Sequence, residues 1–302
     1  MVFLAGPTAV GKTRVSEATA RLLNAEIISC DSMQVYTGLD ILSSKPPLSL
    51  RKKIPHYLID CVSPCREYDV SRYRREAVRK IKEICARGRV PLFVGGTGLY
   101  MSVVIDGLFN AGKPDEKVRA KLAKLLDDKG NESLYHYLKQ VDPEAAAKIH
   151  PHDTKRIIRA LEVFETTGTP ISVLQKQRKG LGRLYDVRIF CLDMDREALY
   201  RRINERVESM FRQGVLNEVV RLLSLRLSKT AYQAIGIREL ERYCKRECSL
   251  EEAKEAMKHN TRLYAKRQLT WFRKDKRIQW LTINEKDRPV QIAKRIIKEI
   301  NG

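Results

Sequence analysis

The chain has 302 residues, enough for one large or two modest domains with a buried core. Its 58 Lys and Arg outweigh 37 Asp and Glu, a formal net charge of +21, which says nothing about fold but favours polyanionic partners, nucleic acid first. No run of about 18 apolar residues and no lipidation box is present, and Met1-Val2-Phe3-Leu4 is not a basic leader. The composition thus excludes a membrane span and predicts a cytoplasmic protein without a membrane partner.

The first predicted element is a short apolar strand at residues 2–5. It runs into GPTAVGKT at 6–13, which is Gly6, four residues (Pro7, Thr8, Ala9, Val10), then Gly11-Lys12-Thr13. That is the spacing of a phosphate-binding loop. The glycines let successive N–H groups face one anion, and the helix that follows adds its positive end. Lys12 supplies a full charge, and the Thr13 hydroxyl is placed to assist Mg²⁺. The motif specifies phosphate or diphosphate with Mg²⁺ and leaves the reaction open.

A helix to about residue 23 and a strand at 25–29 follow, ending at Cys30-Asp31-Ser32. In an open parallel sheet active residues gather beyond the strand carboxyl ends. Asp31 there would hold Mg²⁺, accept a proton from a nucleophile, or cap a helix. Ser32 and Gln34 beside it offer groups that read a base edge. Lys45-Pro46-Pro47 interrupts any regular element. Then come a strand at 56–60, a basic helix at 70–87, and a buried-type strand VPLFV ending in GGTGLY at 95–100. That last loop reads as a tight strand-to-helix turn with no metal-holding carboxylate. A nucleotide kinase would place an Asp at such a strand end.

From about residue 110 to 181 the chain is polar and helical, bracketed by Gly112/Pro114 and Gly180/Gly182. Strand character returns at 186–194, followed by helices through 195–273, a strand at 278–283 and a last helix. The expected fold is therefore α/β, a phosphate-loop core with a mostly parallel sheet (1–110 and 182–302) and an inserted all-helical domain (111–181). Lys254, Lys258, Arg262 and Lys266 repeat every fourth residue, and Arg72, Arg74, Arg75, Arg79, Lys80 and Lys82 crowd another helix. Both clusters read as phosphate-contacting faces, because like charges on one face cost stability without an anionic partner. The seven cysteines are odd in number and lack a zinc spacing, so structural thiols are expected.

Nearly end to end, the sequence resembles the tRNA dimethylallyltransferases, also called tRNA isopentenyltransferases, in their bacterial form. The resemblance is carried by GPTAVGKT, DSMQVYTGLDI (31–41), Lys45-Pro46, PHYLID (55–60), GGTGLY, HDTKRIIRALEV (152–163), TGTP (167–170), AIGIREL (234–240) and YAKRQLTWFR (264–273). It implies transfer of a dimethylallyl group from dimethylallyl diphosphate to N6 of adenine 37, beside the anticodon of tRNAs reading U-starting codons. The phosphate loop would then hold a diphosphate leaving group rather than a triphosphate. The resemblance further implies that Asp31 is the general base, that Thr13 assists Mg²⁺ and that Lys12 neutralises the diphosphate. Thr97 would contact the target adenine or the leaving oxygen, and Arg206 the diphosphate. The tRNA contacts it implies are Asp31, Ser32, Met33, Gln34 and Thr97 in the core, and Arg119 and Lys155-Arg156-Ile157-Ile158-Arg159 in the helical domain, which would close over the anticodon stem-loop; a monomer is expected. Leu42-Ser43 stands where the family usually has Gly-Thr, His152 replaces a common Asn and Ile237 a common Tyr. None of these departures touches Asp31, Thr13, Thr97 or Arg206. A kinase sharing the loop, or a non-catalytic RNA-binding protein with a relict loop, are the alternatives.

Overall fold

In the computed structural model, which describes residues 1–109 and 115–302, six strands form one parallel sheet. They are β1 (Val2–Ala5), β2 (Ala25–Cys30), β3 (His56–Tyr57), β4 (Val90–Gly95), β5 (Arg188–Asp193) and β6 (Ile278–Thr282). Their order is β3-β2-β4-β1-β5-β6, and every recorded pair is parallel. The expected α/β class with a mostly parallel sheet is what the chain adopts. The middle strands are buried on both faces, which is why β1 reads as a continuous apolar run, while β2 keeps a buried Glu26 that is bonded by Tyr57 and Arg87. Leu4, Ile27, Leu92 and Phe190 share one core with Leu199 and Ile203 of the Arg196–Arg212 helix. Ile292 and Ile296 of the C-terminal helix, Pro289–Asn301, complete that core.

The register matters for the site. Ala5 and Cys30 both pair with Gly95, so β1, β2 and β4 end at one level. The residues that follow them (Gly6, Asp31 and Gly96) therefore emerge together at the carboxyl edge, where open parallel sheets bind ligands. A Cβ at Gly96 would stand 2.0 Å from Gln268 Nε2, and one at Gly98 2.0 Å from the Trp271 ring. Besides making the tight turn, the glycines of GGTGLY thus let the Leu250–Phe272 helix close onto this edge.

Two elements differ from the sequence expectation. The strand expected at 56–60 stops after Tyr57, because Leu58 and Asp60 take left-handed backbone at φ 60° and 56°. The 45–47 breaker also starts an element: Pro47 caps a short helix, Leu48–Lys53, with its ring holding φ at −61°.

Two compact units are present, Met1–Ile105 with Gly182–Gly302, and Asp106–Leu181. The expected boundary residues Asn110, Ala111, Gly112, Lys113 and Pro114 lie outside the described residues. The second unit is helical, with Glu116–Val141 broken at Gly130 (φ 74°), then Pro143–Lys148, Thr154–Thr167 and Ile171–Lys176. Asp142 ends one helix and caps the next by accepting from Ala145 N at 2.9 Å, which divides a segment that reads as continuous in sequence. Leu122, Leu134, Leu138, Ile157 and Leu161 form its core. Among the described residues no helix is long and apolar enough to cross a membrane.

Candidate active site

The phosphate loop begins where β1 ends. Ala9 at φ 67° and Gly11 at φ 104° turn the backbone, and Gly11 caps the Lys12–Leu22 helix. A non-glycine residue held in left-handed backbone carries strain, which the surrounding structure must sustain. Two long-range contacts do so. Gln268, only 7% exposed, accepts from Thr8 N at 2.8 Å and donates to Gly96 O at 3.0 Å. Arg202 Nη1 donates to Val10 O at 3.2 Å. Lys12 Nζ donates to Gly6 O and Pro7 O at 2.8 and 2.7 Å, so the ammonium lies across the mouth of its own loop.

A cavity of about 570 Å³ opens over this loop, lined in part by Lys12, Thr13, Asp31, Arg202, Arg206 and Tyr264. A second, of about 310 Å³, shares Thr8, Asp31, Ser43, Arg206 and Tyr264 with it but carries more apolar walls, among them Leu42, Val207, Met210 and Met257. Asp31 and Arg206 therefore stand where a cationic chamber meets a more apolar one. Burial pushes the Lys12 ammonium down to about 8, helped by the nearby Arg206 and opposed by Asp31. Arg206 is likewise lowered by burial, with Asp31 and Tyr264 pulling it back. Two cations beside one carboxylate at the wall of this cavity favour an added anion.

Asp31 Oδ1 accepts from Met33 N at 2.9 Å and Gln34 N at 3.4 Å, which closes a turn; no helix starts here, so the helix-capping alternative is corrected to a turn-closing one. Thr97 Oγ1 accepts from Ser32 N at 3.1 Å, and Thr97 N donates to Cys30 O at 3.1 Å. Thr97 thereby ties the end of β4 to the segment bearing Asp31. Gln34 is held by Ser29 Oγ at 2.9 Å and donates to Ser43 O at 3.3 Å. Ser32, Met33 and Gln34 all line one or other chamber. Sequence reasoning assigned no role to Gln268, Arg202 or Tyr264. Gln268 lies inside the AKRQLTW motif, and Arg202 one turn before Arg206, but neither position names its partner.

The expected tRNA-contacting positions in the helical unit differ in exposure. Lys155 and Arg156 are exposed. Arg119 and Arg159 both bond Glu162, a carboxylate 2% exposed, at 2.6 and 2.8 Å. Ile157 is a correction: its side chain is fully buried in the core of that unit and offers no surface to an external ligand. The basic stripe of the Leu250–Phe272 helix is a second correction. Lys258 pairs with Glu208 and Glu255, Lys254 with Glu208 and Glu251, and Arg262 bonds Asn204. These charges meet carboxylates and one amide of the same chain, and only Lys266 of the four is exposed. In the Val70–Ala86 helix Arg72 pairs with Glu76, Lys80 with Glu83, and Arg74 donates to Val103 O.

Comparison with known proteins identifies the family. A family profile described as IPP transferase matches residues 34–275. The tRNA dimethylallyltransferase of Carboxydothermus hydrogenoformans is 44% identical over 99% of this chain and 96% of its own length. That of Geobacter sulfurreducens is 45% identical over 93% and 91%. Among solved structures, the full-length tRNA isopentenylpyrophosphate transferase of Bacillus halodurans superposes with a TM-score of 0.72 at 38% identity, covering 99% of this chain and 96% of its own. A eukaryotic dimethylallyltransferase acting on tRNA gives 0.83 at 29% identity, over all of this chain and 79% of that one. A phosphate loop, a strand-end Asp and a matching sequence over almost the whole length lead to one conclusion: the chain belongs to the IPP transferase family, the tRNA dimethylallyltransferases.

Proposed function

We propose that this protein transfers a dimethylallyl group from dimethylallyl diphosphate to N6 of adenine 37 in tRNAs reading U-starting codons, releasing diphosphate. The observation that carries this reading is the shared wall of the two chambers, where Asp31 and Arg206 face both the phosphate loop and a more apolar space. The diphosphate would lie over the loop, neutralised by Lys12, Arg206 and loop N–H groups. The C5 group would extend toward the junction. An adenine amino nitrogen is a poor nucleophile because its lone pair is delocalised, and it becomes acidic as it attacks C1. Asp31 takes that proton as the N–C bond forms and the C–O bond breaks. Charge growing on the leaving diphosphate is met by Lys12 and Arg206. Lys155 and Arg156 in the helical unit would contact tRNA phosphates, which position without reading sequence.

Mg²⁺ suits the donor set here. The Thr13 hydroxyl and the Asp31 carboxylate, both hard oxygen donors, line one cavity. No cluster of three His, Cys, Asp or Glu occurs among the described residues. Mg²⁺ is commonly held by one or two protein oxygens together with substrate phosphates and water, and Thr13 would supply the protein oxygen. When bound it would contribute charge stabilisation of the diphosphate.

The test is transfer of an isotope-labelled C5 group from dimethylallyl diphosphate to unmodified tRNA, with Mg²⁺ and without ATP. Label on adenine 37 is the expected outcome. ATP turnover without prenyl transfer would replace this reading by a kinase, and tRNA binding with neither would leave a non-catalytic binder.

Lys12 makes donor binding pH-dependent. In the free protein its ammonium loses its proton near pH 8, whereas a bound diphosphate raises it again, so binding takes up a proton. Donor affinity should fall as pH rises through about 8, by up to tenfold per pH unit. Lys12→Arg should flatten that slope, because a guanidinium stays charged. Calorimetry in buffers of different ionisation enthalpy measures the proton uptake directly. For the fold alone the sign reverses: between about 8 and the ordinary 10.5 the unfolded chain holds the proton more often, so ligand-free stability gains with rising pH.

A further inference from the structure

The segment between Asp31 and the 48–53 helix supplies walls to both chambers, yet it has no regular secondary structure from 38 to 47. Its shape is imposed from a distant helix. Val215–Leu223 carries Val215, Glu218, Val219 and Leu222 on its buried face, and Glu218 is only 5% exposed. One carboxylate oxygen accepts from Asp40 N at 3.0 Å and Ile41 N at 2.8 Å, and the other accepts from Leu42 N at 3.0 Å. Three consecutive N–H groups thus converge on one side chain more than 170 residues away. A second clamp closes the segment: Lys45 Nζ donates to Tyr36 O and Asp40 Oδ1, both at 2.7 Å.

A buried carboxylate is expensive unless its bonds are well made. Among the described residues this one takes only backbone donors, so it is committed to the conformation of residues 40–42. At their far end, Leu42 and Ser43 line the more apolar chamber, and Ser43 and Ser44 the cationic one. Ser43 O also accepts from Gln34, linking the segment to the Asp31 turn.

We infer that Glu218 is a positioning residue for the donor: by holding the N–H groups of Asp40, Ile41 and Leu42, it sets the wall against which the diphosphate and its C5 group are seated. This rests on the proposed transfer activity. Glu218→Gln keeps the shape but replaces one acceptor by an NH₂ group, which cannot accept from the loop.

The experiment compares wild type and E218Q in labelled prenyl transfer, with melting curves and tRNA binding alongside. The expected result is a donor KM raised about tenfold or more, with kcat at saturating donor and tRNA affinity each within about threefold. A lower Tm with both KM values unchanged would make Glu218 a purely structural residue and overturn the inference. So would equal losses in donor and tRNA binding. If E218Q does not fold, hydrogen exchange on the wild-type protein decides: the amides of Asp40, Ile41 and Leu42 should be strongly protected, and donor should protect them further. Fast exchange at those amides, or no change with donor, would overturn it. Absence of transfer by wild type would instead count against the activity itself.

Discussion

Asp31→Asn should leave tRNA bound within a few-fold of wild type while slowing single-turnover transfer by about 10²–10⁴. The substitution separates the hydrogen bonds that Asp31 makes to its own turn from its proposed role as the base. Oδ1 of Asp31 accepts from Met33 N and Gln34 N, and an Asn side-chain oxygen accepts such bonds equally well. The turn is therefore kept and the melting temperature should barely move. What is lost is the carboxylate proposed to take the N6 proton. Asp31→Ala removes both, and should add a stability loss of about 0.5–1.5 kcal/mol per turn hydrogen bond lost. If Asp31 chiefly held Mg²⁺, Asp31→Asn would weaken metal-dependent donor binding and excess metal would restore part of the rate. Single-turnover rates at saturating donor, tRNA and Mg²⁺ distinguish these cases, and a normal rate would end the general-base assignment.

Arg206→Ala should lower kcat by about 10²–10³, the usual cost of removing a group that meets developing charge. Arg206 is lowered by burial and stands at the junction of the two chambers. A partly buried guanidinium at that junction is placed to meet the charge proposed to grow on the leaving diphosphate. Arg206→Lys should recover only part of the rate, since an ammonium cannot make the paired, planar bonds of a guanidinium. Loss of Arg206 also relieves the repulsion that lowers Lys12, so the pH at which donor binding declines should move upward. A kcat within threefold of wild type at saturating donor would remove Arg206 from the leaving-group role.

Much of this was legible in the sequence, for a physical reason. A phosphate loop is made by contiguous backbone, so Gly6, Gly11, Lys12 and Thr13 announce it in eight residues. Parallel strands buried on both faces are rich in apolar residues, so β1 and β4 could be read directly, and β2 could be read from its Ile27-Ile28 centre despite Glu26 and Ser29. Asp31 was placed at the site by its position at a strand end. The tertiary structure decided everything that depends on a distant partner. The spacing of Lys254, Lys258 and Arg262 along one helix face was correct, but its meaning turned on Glu208 and Asn204 of a neighbouring helix. Ile157 stood among the tRNA contacts that the resemblance implied, and packing buries it. Gln268 bridges the phosphate loop and Gly96 across more than 170 residues, and Glu218 reaches as far to hold residues 40–42. Its one local sign was a Glu on the apolar face of an amphipathic helix. Local backbone geometry is written in neighbouring residues, whereas the partner of a buried polar group is chosen only when the chain packs.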